Sequence, residues 1–326
     1  MHDIQFLYQQ DDLEEICRDR PLITSEKHEP NDFYGQASIL KRYCGLDESK
    51  PLKLVYEHSL KLHSNIWELD LKTGFPTAFT SSKERLKCFK KSKKFEFVIP
   101  IGPPVLYAKD LVEKELRNNN NSSKVERKGT IVFPSHSTHH ISAEFDSVAF
   151  INQLKGLADE FKPIVICIYW KDFLDNKHVI YEKYGFEVIS AGHIYDKDFL
   201  LRFYDICRRF KYSYANNLGS DLFYSSLCGC QYFCDYNLKV NHNNPKNYEL
   251  YDADIEANQN KKKAQSLFEK PSELTYDKIK FIESIAGTSY KKSKIVIYSF
   301  ILVSEVLWKL RLIKKKGENL LFKILR

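Results

Sequence analysis

The chain has 326 residues, a formal charge of +7, 43% hydrophobic and 29% charged residues; this is ordinary globular composition and excludes a disordered polymer. The charge is local, because residues 289–326 hold ten Lys/Arg against two Asp/Glu, which gives that segment +8 and leaves the remainder near −1. No nucleic-acid partner is therefore expected along the body, whereas the tail suits a contact with an anionic surface.

Taken in chain order, the start MHDIQFLYQQDDLEE is acidic and has no apolar leader pattern. A cytoplasmic setting is expected, with the eight cysteines reduced. A short strand is expected at 21–24 and a helix over 32–43. PLKLVYEHSL is an apolar run ending in Glu57-His58, FPTAFTSS is a second strand, and KFEFVIPIGPPVLYA a third, closed by Gly102-Pro103-Pro104. Strands alternating with helical stretches imply a parallel sheet. Residues 117–128 (RNNNNSSKVERK) are too polar to bury a face, and a linker is placed at 121–128.

The rhythm then restarts. GTIVFPSHS is a strand running into a loop, VAFINQLKGLADEF is helical, and PIVICIYW is a continuous apolar run of buried-strand type. VIYEKYGF (helix), EVISAGHI (strand), DKDFLLRFYDICRRF (a helix capped by Asp196), KYSYANN (strand), SDLFYSSLCG (helix) and CQYFCDY (strand) complete a doubly wound α/β layer. Residues 238–270 read as polar and loop-rich, and PSELTYDKIKFIESIAG as a capped helix. The expected plan has a first Rossmann-like domain at 1–120, the linker, and a second at 129–240. A returning loop and helix at 241–288 and a basic amphipathic tail at 289–326 follow.

Ligands of such layers sit outside the carboxyl ends of the strands. One end carries Ser135, His136, Ser137, Thr138, His139 and His140, which suits binding of anionic groups or a solvated turn. A metal at these histidines lacks a further ligand at helical spacing, and no metal or cofactor is expected. Another end has Asn217, Gly219 and Ser220 before a helix, where free N–H groups suit a phosphate; a plain helix cap is the alternative. Gly192 and His193 could meet a base or ribose, or lie in a simple turn. Glu57 and His58 could deprotonate an acceptor hydroxyl, or belong to a surface turn. Cys228, Cys230 and Cys234 are spaced for packing rather than for zinc. There is no G-x-G-x-x-G, no P-loop and no G-x-S-x-G; Asp252-Ala-Asp254 formally matches D-x-D but follows no strand.

The order KGTIVFPSHSTHH, SAGHIYDKDFLLRFYDI, YANNLGSDLFYSSLCGCQYF resembles the carboxyl-terminal domain of GT-B glycosyltransferases of bacterial surface polysaccharides. NDFYGQASILKRYCGL, LVYEHS and IPIGPPVLYA are similar to their acceptor-side domain. The resemblance implies two Rossmann-like domains facing a cleft, a nucleotide-sugar donor, a glycan or lipid-linked acceptor, and metal-independent transfer. By position it implies catalytic roles for Glu57, His58 and His136. It implies donor binding by Ser135, Ser137, Thr138, Gly192, His193, Asn217, Gly219, Ser220, Ser225 and Ser226. The chain lacks the E-x7-E motif of many retaining members and a clear D/E-D/G plus H-P pair of bacterial sialyltransferases, so stereochemistry and donor stay open. A nucleotide-sugar 2-epimerase and a non-catalytic assembly protein on the same fold are the alternatives.

The tail contains a 14-residue apolar run, 295–308, which falls short of the about 20 residues needed to span a bilayer. Lysine clusters flank it. It is expected either to lie on the inner face of the cell membrane or to pack across both domains.

Overall fold

The computed structural model describes residues 12–21, 26–118, 126–138, 142–243 and 255–324. The expected strand at 21–24, the Asn/Ser run, His139-His140 and Asp252-Ala-Asp254 lie wholly or largely outside these residues.

Three short parallel strands open the fold: β1 (Val55–Tyr56), β2 (Thr77–Thr80) and β3 (Phe97–Pro100), in that spatial order. The second half supplies β4 (Thr130–Phe133), β5 (Ser142–Glu144), β6 (Ile164–Cys167), β7 (Glu187–Ile189), β8 (Tyr212–Ala215), β9 (Gln231–Cys234) and β10 (Asn241–Asn243). Five of these form a parallel sheet in the order β7-β6-β4-β8-β9, while β5 and β10 pair antiparallel. The order reverses between β4 and β8, so the loops after these two strands lead away to opposite sides and leave a crevice between them. The expected doubly wound α/β layer is therefore present.

Period-two alternation explains how this sheet is buried. Ile131, Val165 and Ile189 face one hydrophobic cluster, while their neighbours Val132, Ile166 and Val188 face another. Both faces are covered by helices, which is what the unbroken apolar run at β6 demands. On the inner face the helix Phe199–Cys207 is enclosed by the sheet and by the helix Val105–Asn118, which is why Leu200 to Cys207 are all buried. That inner cluster also contains Ile39, Leu40, Tyr56, Phe79 and Ile101, so one continuous core joins the two halves.

Several local expectations change. GPPVLYA does not extend the third strand: Pro103 and Pro104 stand immediately before the helix Val105–Asn118, where a missing N–H costs nothing. The helix expected at 32–43 is a 3-10 segment, Glu29–Gly35, and an α-helix, Gln36–Cys44. They are separated by a kink at Tyr34 (φ +57°) and Gly35. Asp196 does not cap the next helix; it accepts from Asp198 N–H at 2.9 Å and pairs with Arg202 at 3.1 Å. The region read as loop contains β10 and the helix Ile255–Phe268. Arg127 donates to the carbonyls of Phe210 and Cys228, which fixes the end of the expected linker on the second half. The helix Tyr276–Ala286 forms as expected, capped by Thr275 and ended by Gly287.

All eight cysteines are free thiols, and Cys228, Cys230 and Cys234 are buried in packing contacts. Among the described residues no cluster of side chains is arranged to hold a metal.

The tail is one helix, Lys294–Ile324. Ile297 and Ile301 enter the core, Ser304 donates to the Lys53 carbonyl, Trp308 meets Phe75, and Arg311 pairs with Glu96 at 2.7 Å. This is one helical stripe, and the Ser304, Trp308 and Arg311 contacts fall on the first half. Ile295, Leu302, Val306, Leu310 and Ile313 occupy the opposite stripe and are exposed. Among the described residues no helix is long and apolar enough to cross a membrane.

Candidate functional site

A cavity of about 360 Å³ lies at the carboxyl edge of the five-stranded sheet. The loop after β4 contributes Pro134, Ser135, His136 and Thr138, the loop after β8 contributes Asn217 to Gly219, and the helix that follows contributes Ser220 and Asp221. Cys167 ends β6, Ile168 and Tyr169 follow it, and Ala191 follows β7. Tyr34 from the first half, with Phe199, Phe203 and Tyr224, forms an aromatic wall. The cavity therefore sits at the crevice that the strand order creates, and its size is within the range of small-ligand sites.

The two strand ends are tied together. Asn216, buried after β8, accepts from both the backbone N–H and the hydroxyl of Ser135 through Oδ1, at 2.7 and 3.0 Å. This clamp spans the reversal point and holds the two loops in register. The Asn216 Nδ2 is buried without a partner among the described residues.

The helix Ser220–Leu227 begins on the cavity, and Gly219 at its start offers no side chain to cap it. Its first N–H groups are of the kind that bind an anion, and the Asp221 carboxyl, which accepts from its own N–H, lies over them. His136 is exposed and its ring lies 4.3 Å from that of Tyr169. The Tyr34 and Tyr169 hydroxyls touch at 3.3 Å.

Of the residues singled out from the sequence, Ser135, His136, Thr138, Asn217, Gly219 and Ser220 are brought together around the cavity. The others are placed elsewhere. The Ser137 hydroxyl accepts from Ala143 N–H and from Lys177 Nζ, so it braces its own loop. Ser225 is fully buried and shares a 2.8 Å hydrogen bond with Ser213 on β8; Ser226 is buried on the same helix. Gly192 serves packing: at φ +103°, a Cβ there would meet Arg202 Nη1 at 2.8 Å and Ile16 Cγ2 at 2.9 Å. His193 is sealed beside Trp170, its Nδ1 accepting from Tyr195 N–H, so the ring holds a turn rather than a nucleobase.

Glu57 and His58 lie at the end of β1. Glu57 Oε1 accepts from Arg85 Nε at 2.8 Å and Nη2 at 2.5 Å. Arg85 also donates to the carbonyls of His63 and Asn65. Burial pushes the Glu57 carboxyl up, while Arg85 and Lys61 pull it back. His58 is stacked on Tyr34 at 5.4 Å, behind the ring that lines the cavity. Burial, aided by Lys61 and His28, lowers its imidazole to about 3, so His58 is neutral.

Sequence reasoning missed the aromatic wall, because Tyr34 and Phe199 come from segments far apart in the chain. It also took Asp221 only as a structural cap whose negative charge counts against a nearby phosphate. Asp221 lines the cavity, its Oδ2 is buried with no hydrogen bond of normal geometry among the described residues, and burial, opposed by its own N–H and by Tyr232, raises its carboxyl to about 7.

No protein-family model matches the chain, and neither a curated protein nor a solved structure is significantly similar to it.

Proposed function

We propose that the chain is a glycosyltransferase that moves a sugar from a nucleotide-sugar donor to a surface-polysaccharide or lipid-linked acceptor. The observation that carries this reading is the cavity at the strand-order reversal, where an uncapped helix start stands beside hydroxyls and an aromatic wall. The aromatic wall suits a base or sugar face, and the helix start suits the phosphate of the leaving group. His136 is the cavity imidazole placed to accept the proton of the acceptor hydroxyl as the glycosidic bond forms. In this reading the three-stranded half is the acceptor side and Tyr34 is its contribution to the donor cavity. Release of nucleotide from a donor only after a glycan or lipid-linked acceptor is added supports transfer. Conversion of the donor to an isomeric nucleotide sugar without acceptor would point to an epimerase instead.

The same proposal puts the chain on the inner face of the cell membrane through its tail. The docked stripe is satisfied by the body, and the opposite stripe, Ile295 to Ile313, is apolar and flanked by Lys291, Lys292, Lys294, Lys309, Lys314 and Lys315. Apolar residues between lysines match an acyl boundary under anionic headgroups. Deleting residues 289–326 is a poor test, since Ile297 and Ile301 would leave the core. Val306→Glu with Leu310→Glu changes only exposed positions. We expect it to abolish flotation with phosphatidylglycerol vesicles at unchanged thermal stability; flotation equal to the parent chain would remove the membrane contact.

A further inference from the structure

We propose that Asp221, in its acid form, donates its proton to the phosphate oxygen of the departing nucleotide. The step rests on the glycosyltransferase reading of the cavity and gives it a metal-free means of neutralising the leaving group.

The geometry comes first. Asp221 is in the first turn of the helix that opens on the cavity, so it stands beside the N–H groups that would hold the phosphate. Oδ1 lies against the helix start at Gly219, while Oδ2 is buried with no hydrogen bond of normal geometry among the described residues; hydrogen bonds from the Asp221 N–H and the Tyr232 side chain favour the charged form without offsetting burial. A carboxylate next to a bound phosphate would repel it, whereas a carboxylic acid donates a hydrogen bond to it. Burial already raises this carboxyl to about 7, and a phosphate beside it acts in the same direction.

The other titratable groups around it are Tyr232, Cys234 and Tyr236 from β9 and the turn after it, and Tyr34, His136, Tyr169 and Tyr224 around the cavity. Burial raises the four tyrosines Tyr34, Tyr169, Tyr224 and Tyr232, and also Tyr236, above their ordinary range, and Cys234 to about 12. None of these six ionises between pH 6 and 8.5, and a variant at His136 separates the imidazole of the cavity from Asp221.

In the step, the bond from the anomeric carbon to the phosphate oxygen breaks and its electron pair stays on that oxygen. The oxygen takes the Asp221 proton. The acceptor oxygen forms the new bond to the anomeric carbon, and its proton passes to His136 and then to solvent. Asp221, now a carboxylate, regains a proton from solvent.

The test is calorimetric titration of nucleoside mono- and diphosphates, the product class, into the full chain between pH 6 and 8.5. At pH 8, titration in two buffers of different ionisation enthalpy reads the protons taken up. The parent chain should take up about one proton, and its affinity should fall by up to tenfold per pH unit above about pH 7 relative to Asp221→Asn. The phosphate's own titration is common to both proteins and cancels. Asp221→Glu should restore the slope, and His136→Gln should retain it. Equal pH curves for the parent and Asp221→Asn, or no proton uptake by the parent, overturn the role of Asp221 alone. Absence of nucleotide binding at every pH overturns the donor-site reading itself.

Discussion

Arg85→Met should destabilise the fold by about 3–5 kcal/mol, because it strips the buried Glu57 carboxylate of its hydrogen-bonded partner and leaves only Lys61, at 3.9 Å. Both partners are almost fully buried, with side-chain exposures of 3% for Arg85 and 1% for Glu57. The guanidinium also holds the carbonyls of His63 and Asn65, so its loss releases the loop after β1. Glu57→Gln keeps one acceptor for Arg85 and should cost less. The double variant should cost less than the sum of the two, and denaturant unfolding of all four proteins reads the coupling. Additive costs would show that the pair is not a unit. This expectation also changes how Glu57 is to be tested: loss of activity in Glu57→Gln would not identify a base unless stability were measured beside it.

Gly219→Ala should weaken nucleotide binding by about tenfold or more, roughly 1.4 kcal/mol, with little loss of stability. The backbone at Gly219 (φ −138°, ψ −174°) is extended and open to any residue. The obstacle is a side chain: an added Cβ would fall 2.2 Å from Asp221 Oδ1. The carboxyl must swing away, either into the cavity or off the helix start. Calorimetric titration beside a thermal melt separates the two effects. Unchanged affinity with a normal melt would mean that the ligand does not use this loop.

Much of the second half was legible in the sequence, for a physical reason. Strands such as PIVIC are unbroken apolar runs and the helices between them have clear faces, so period and punctuation agree. The location of the site followed from that layer, since SHST and NNLGS end strands that prove to flank the reversal point. The individual roles were less legible. Polar residues at strand ends look alike in sequence, yet the Ser135 side chain meets Asn216 across the crevice while the Ser137 side chain is turned to Lys177. Gly192 and His193 sit after a strand like the others, but the segment Leu13–Cys17 covers them: His193 N–H donates to the Ile16 carbonyl at 3.1 Å. Nothing in local periodicity announces such a cover. VLYA after Pro103-Pro104 looked like strand because four apolar residues fit either period, and the length of the helix became clear only through its packing on Phe199–Cys207. The tail was read as facing either the body or a surface. One helix does the first with one stripe and leaves the other apolar and exposed.

The central claim is that the cavity between the β4 and β8 loops holds the nucleotide of a sugar donor. Titration calorimetry of the full chain against cytidine, uridine, guanosine, adenosine and thymidine mono- and diphosphates tests it most directly. The account predicts saturable one-to-one binding of at least one of them, weakened in Gly219→Ala and in His136→Gln. Absence of binding across the whole panel, with a protein that melts cooperatively, would contradict it.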